Sequence, residues 1–195
     1  MIRLAGLLAL TLLAGACNTT ASLRYTPTSA LIAAAVPLVG GVSSLDRRKE
    51  APNRLATIMG GFGNPLKTLD TTRPVNDEVA DAFTQGLRVR GLLAAPGTAP
   101  FRLQLTVQKF DADMIIGRTA RIDIVMSVLD TLGRIVYGDR YADSISETKF
   151  FQTGVFADID DLRAMTERLL SQSVDRLLDN QAFRDAMAQL ATPNS

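Results

Sequence analysis

The chain has no histidine, no tryptophan and a single cysteine in 195 residues. Without histidine it lacks the commonest general base, the usual zinc ligand and the middle member of a serine or cysteine triad. One cysteine makes no intrachain disulfide, so stability must come from a packed core, and a chain of this length buries about 70 % of its unfolded surface. Charge of one sign is also missing, with 21 basic and 20 acidic residues. That balance argues against nucleic acid and against a polybasic membrane-surface mode, both of which need clustered Lys and Arg. No apolar run reaches the roughly 20 residues that a spanning helix requires.

What is present begins at the first residues. Arg3 precedes ten apolar or small residues, Leu4 to Leu13, and Ala14, Gly15 and Ala16 lead to Cys17. This is the three-part pattern of an export signal. The small side chains let an extended backbone enter a peptidase groove. The stretch resembles the lipobox of bacterial lipoproteins, with Ala14 where that motif usually has Leu, and Leu13 one place earlier. The resemblance implies diacylglyceryl transfer to the Cys17 sulfur, then cleavage before it. The alternatives are an ordinary cleaved signal with an incidental cysteine, or a buried free thiol. Several acyl chains on one residue hold a protein where a single chain is only a marginal anchor. Asn18 is not the aspartate associated with inner-membrane retention, so the same resemblance implies the periplasmic face of the outer membrane, with the inner membrane as the alternative.

Residues 1–16 therefore read as a lipoprotein signal peptide, 17–35 as a lipidated N-terminus and flexible tether, and 36–195 as a single periplasmic domain. Cleavage removes Arg3 and leaves the mature side chains balanced at 20 against 20. Residues 18–30 are polar and show no helical or strand period, which predicts a tether.

Periodicity then organises the domain. A first strand includes Val42 and Leu45 and ends near Asp46, and a second runs from Leu55 to Met59. Val75, Val79, Phe83 and Leu87 recur every four residues, opened by Pro74 and closed by Gly91, and predict a helix. Phe101, Leu103, Leu105 and Val107 alternate with Arg102, Gln104, Thr106 and Gln108, which predicts a strand with one wet face. Ile122, Ile124, Met126 and Val128 repeat the pattern, and Asp130 to Gly133 turns it into a returning strand from Ile135. A long helix spans about 158–179, with Leu162, Met165, Leu169, Leu170, Val174, Leu177 and Leu178 inward. Arg163, Glu167, Arg168, Asp175 and Arg176 are expected in solvent. Phe183, Met187 and Leu190 mark a shorter helix. The order predicts an α/β (α+β) fold, a two-layer sandwich of a mainly antiparallel sheet covered by two main helices.

Several signatures together resemble the YajG-like and PqiC-like auxiliary lipoproteins of the Gram-negative envelope. They are the lipobox, the strand end Val42 to Arg48, the helix close Leu87 to Leu93, the strand Phe101 to Phe110, the hairpin Asp130 to Tyr137 and the final Asn180 to Arg184. The likeness covers about residues 36–187. It implies a non-catalytic accessory role in an envelope complex, since some relatives are linked to machines that move lipids between membranes, others to envelope assembly and several to no assigned role, and it brings no catalytic residues.

The remaining candidate residues each have a plainer structural role. Gly60-Gly61-Phe62-Gly63 lacks the Lys-Ser or Lys-Thr of a phosphate loop and reads as a turn. Asp111 and Asp113 could share a metal, but with no third oxygen ligand nearby a solvated turn is preferred. Asp158, Asp160 and Asp161 fall where a helix start favours negative charge. Asp46 to Glu50 reads as a solvated loop. Phe150, Phe151 and Phe156 hold three of the eight phenylalanines and form a candidate partner or lipid contact, unless they pack under the last long helix.

No cofactor or metal is expected, and the expected partners are the membrane, through acylated Cys17, and an envelope complex or a lipid. Two other functions stay open. One is a carrier enclosing an apolar ligand. The other is a hydrolase, which needs two carboxylates about 5–9.5 Å apart in a cleft.

Overall fold

Alternating apolar residues build the sheet, and helical stripes cover one of its faces. A computed structural model describes residues 17–28, 36–95, 97–115, 117–148 and 158–191. The expected signal peptide, residues 29–35 of the expected tether, and Phe150, Phe151 and Phe156 lie outside the described residues. In chain order the elements are β1 (Cys17–Ala21), β2 (Val39–Asp46), β3 (Arg54–Met59), β4 (Pro65–Thr71), α1 (Val75–Val89), β5 (Phe101–Met114), β6 (Arg118–Leu129), β7 (Ile135–Glu147), α2 (Ile159–Leu178) and α3 (Gln181–Ala191). The seven strands form one sheet in the order β1-β4-β3-β5-β6-β7, with β2 also paired to β5.

This is the α+β sandwich expected from the sequence. The meander β5–β6–β7 is antiparallel, as is β3–β4, whereas β1–β4, β2–β5 and β3–β5 are parallel. Strand β5 is long enough to give one edge wholly to β6 and divide the other between β2, along Phe101–Val107, and β3, along Ala112–Met114. A bulge after Val107 inserts the extra residue that keeps the apolar set on one face. Thus Leu103, Leu105 and Val107 are buried before it, and Phe110, Ala112 and Met114 after it.

Helix α1 buries Val75, Val79, Ala82, Phe83 and Leu87, and α2 buries Leu162, Leu169, Leu170, Val174 and Leu177 against the same face. Each such side chain contributes about 1.5–3 kcal/mol when fully buried. Gly91, at φ +70°, ends α1 in a Schellman motif: Gly91 N–H donates to Arg88 O at 3.0 Å and Leu92 N–H to Leu87 O at 2.9 Å. Helix α3 packs Phe183 on Tyr137 of β7, with ring centroids 5.5 Å apart.

Two expectations are corrected. Residues 17–28 are not a free tether. They begin as β1, in register with β4 from Cys17 to Ala21, and continue across the helices. Their polar side chains gave no period because they pair with distant groups: Asn18 donates to Asp70 at 3.1 Å, and Ser22 and Thr72 share a hydrogen bond of 3.0 Å.

Nor is Asp46 to Glu50 a simple solvated loop. The Arg48 side chain is 0 % exposed, paired with Asp46 at 2.9 Å and donating to the carbonyls of Pro52, Arg54 and Phe110. It fills the fork where β2 leaves β5 and β3 arrives, tying carbonyls of both segments to one guanidinium.

Candidate functional site: the docked N-terminal arm and the cleft beside it

Beyond β1, the arm of residues 22–28 runs over α1 and α2. Leu23 N–H donates to Glu78 in the first turn of α1 at 3.2 Å, and Arg163 of α2 donates to Ser22 O at 3.1 Å. Farther along, Thr26 N–H donates to Ser171 Oγ at 3.1 Å. The arm then meets a buried network at the far end of both helices.

The Schellman motif places Arg90 there as the C-cap residue directly after α1, with 1 % of its side chain exposed. All five of its N–H groups are used: two on Asp179 at 2.8 and 2.6 Å, and one each on Asp175 at 2.8 Å, Tyr25 Oη at 3.0 Å and Gly86 O at 3.1 Å. Asp175 in turn accepts from Tyr25 Oη at 2.6 Å, from Thr28 N–H at 2.5 Å and from Thr28 Oγ1 at 2.6 Å. Gly86 makes this meeting possible, because a Cβ there would lie 2.5 Å from Val174 Cγ1.

The electrostatics follow from this geometry. Burial pushes the Asp175 carboxyl up, but hydrogen bonds from Thr28, Tyr25 and Arg90 outweigh it and hold it below its ordinary value. Burial likewise opposes the Arg90 charge, and the bonds to Asp179, Tyr25 and Asp175 more than compensate, so its pKa is raised. Burial and the Asp175 carboxylate push Tyr25 up to about 12. The network is a latch with fixed charges, not a group poised to exchange protons near neutrality.

Beside it lies a cleft of about 780 Å³ between β7 and the last turns of α2. Asp139, Asp143, Asp175 and Asp179 line it together with Arg176 and Asn180. Asp139 accepts from Asn180 at 2.7 Å, and Asp143 accepts from Tyr141 at 2.7 Å. The walls are polar, and they suit a hydrated partner surface better than an acyl chain.

The sequence candidates fall elsewhere. Cys17 opens β1 beside Lys67 of β4. Asp111 and Asp113 are not in a turn. They lie on the uncovered face of β5 and share the guanidinium of Arg121, which contacts Asp111 at 2.9 Å, so a protein cation fills the space between them. Burial raises the Asp111 carboxyl despite that neighbour. Gly60 to Gly63 forms the expected turn, with Gly63 at φ +78°. Asp158 caps α2 by accepting from Asp160 N–H at 3.0 Å, and Asp161 pairs with Arg118. Among the described residues no group of three or more His, Cys, Asp or Glu is placed to hold a metal.

Asp175, expected in solvent, is buried, and neither Arg90 nor Tyr25 stood out in the sequence as a site residue. One signal was available, since Asp175 directly follows the inward Val174 and precedes the inward Leu177 and Leu178.

No family model matches the chain, and no curated protein matches it. Solved structures do. Protein XCC0632 from Xanthomonas campestris, of family-model DUF330, superposes with a TM-score of 0.61 at 16 % identity, covering 89 % of this chain and 99 % of that one. An uncharacterized protein gives 0.52 at 8 %, covering 85 % and 98 %. A minor lipoprotein from Acinetobacter baumannii is more distant, at 0.42 and 12 %, covering 74 % and 96 %. The class defined at this point is a fold, a seven-stranded α+β sandwich shared with XCC0632 over nearly the whole of that chain.

Proposed function

We propose that this protein is a non-catalytic, lipid-anchored accessory protein of a bacterial envelope, attached through acylated Cys17 on the periplasmic face of the outer membrane. The carrying observation is the coincidence of two features at one residue. The small-residue motif ends at Cys17, and Cys17 is itself held in the sheet, in register with Lys67 of β4. The signatures shared with the YajG-like and PqiC-like lipoproteins, and the fold likeness to XCC0632, support an accessory role in an envelope complex, with lipid transport between membranes as the specific case. The polar cleft favours this reading over a carrier of apolar ligands.

The test is crosslinking in intact envelopes, followed by mass spectrometry of the captured proteins and lipids for the wild type and Cys17→Ala. A defined transport or assembly complex recovered only with the wild type supports the reading. Phospholipid recovered with no protein partner contradicts it and makes the carrier the better account.

A further inference from the structure

The pairing registers trace one row across the sheet. Cys17 in β1 pairs with Lys67 in β4, Lys67 with Ile58 in β3, Ile58 with Met114 in β5, Met114 with Arg118 in β6, and Arg118 with Glu147 in β7. Two segments pass beyond that row, the turn Gly60 to Asn64 between β3 and β4, and Ile115 where the chain leaves β5. Each presents an apolar side chain with no role in the core: Phe62 is 102 % exposed and Ile115 61 %. Residues 55–66 and 114–117 contain no charged side chain, in a chain with 21 basic and 20 acidic residues. A phenylalanine held outward by three flanking glycines contributes nothing to the fold that carries it.

We propose that this end of the sheet is a membrane-contact face, and that Phe62 and Ile115 enter the interfacial layer of a phospholipid bilayer. The proposal rests on the lipid-anchored reading of Cys17 and adds an orientation to it. Strands rise about 3.3 Å per residue, so Pro65, two residues before Lys67, and the turn before it stand on the order of 10 Å beyond the level of Cys17. That reach matches the roughly 5–10 Å to which apolar side chains of interfacial segments sink. Because β1 is paired with β4 from Cys17 onward, no slack separates a lipid on Cys17 from the folded body. The turn carrying Phe62, and Ile115 beside it at the end of β5, therefore meet the bilayer when the anchor inserts. Their lack of charge removes the desolvation cost that would oppose entry.

The absence of native tryptophan supplies the test. Acylated full-length protein carrying Phe62→Trp or Ile115→Trp is bound to vesicles of phosphatidylethanolamine and phosphatidylglycerol, with and without brominated acyl chains. Leu132→Trp, in the exposed hairpin at the other end of β6, serves as the control. The expected result is a blue shift and loss of most emission to bromine for Phe62→Trp and Ile115→Trp, with neither for Leu132→Trp. Protein that floats with the vesicles while Phe62→Trp stays unshifted and unquenched overturns the orientation and leaves the anchor standing. Equal quenching at Leu132→Trp also overturns it. Failure of the acylated protein to float overturns the anchor and the orientation together.

Discussion

Arg90 and Asp175 meet at 2.8 Å with side chains 1 % and 5 % exposed, one from the end of α1 and the other from α2, and the N-terminal arm closes over the pair through Tyr25 and Thr28. A buried pair of this kind is costly to break from one side, because the charge left behind has no water to take the partner's place. Replacing Asp175 with Ala is expected to destabilise the protein by about 3–5 kcal/mol. Tyr25→Phe, which removes one hydroxyl and no charge, should cost about 1 kcal/mol. Urea midpoints for the two variants check the ranking. Equal midpoints would mean that the arm and not the charge pair carries the stability.

The same network sets a pH response at both extremes. Asp175 has a folded value below its ordinary 3.8, so its contribution is complete above that value and is lost as pH falls through the folded one. Tyr25 moves the other way, from 10.0 up to about 12. Its contribution is complete below pH 10 and is lost as pH rises toward 12. Urea midpoints should therefore be level with respect to these two groups across neutral pH and fall at both ends, with Tyr25→Phe flattening part of the alkaline fall.

Gly86 is the contact point of the two helices. A Cβ there would meet Val174 Cγ1 at 2.5 Å and Leu178 Cδ1 at 2.9 Å. Alanine gains up to about 1 kcal/mol of helix propensity. Overpacking costs about 1–3 kcal/mol, so Gly86→Ala should be less stable overall. Combining it with Val174→Ala should cost less than the sum of the two single changes, which a double-mutant cycle measures directly.

Arg48 donates to three carbonyls, of which Pro52 O also accepts from Val75 N–H at 2.9 Å. A lysine keeps the charge but not the planar fork. Arg48→Lys should therefore lose roughly 2 kcal/mol through unmet buried acceptors. Amide exchange should show the loss first around Pro52 to Arg54, where β3 begins.

The parts of the fold that were legible in the sequence are those whose cause is local. The stripe Val75, Val79, Phe83, Leu87 and the closing Gly91 gave α1, and the alternation from Phe101 and again from Ile122 gave the meander, because side-chain period is set by backbone geometry alone. Strand β4 was missed, as Leu66 to Thr71 alternates too weakly. The arm was misread because its partners are 50 to 150 residues away: Asn18 with Asp70, Tyr25 with Asp175. Asp175 was assigned to solvent for the same reason, since a carboxylate on a helix looks exposed until its guanidinium is located. Of the candidate site, Cys17 was legible as a chemical motif, but its place in the sheet was not.

The central claim is that Cys17 is the lipid-bearing first residue of the mature protein. Intact-mass spectrometry of the protein purified from membranes tests it most directly. The expected result is a chain beginning at Cys17 whose mass exceeds that of the polypeptide by a diacylglyceryl group and an amide-linked acyl chain, with both additions absent from Cys17→Ala. A mature chain with an unmodified Cys17 thiol, recovered free of the membrane, would contradict it.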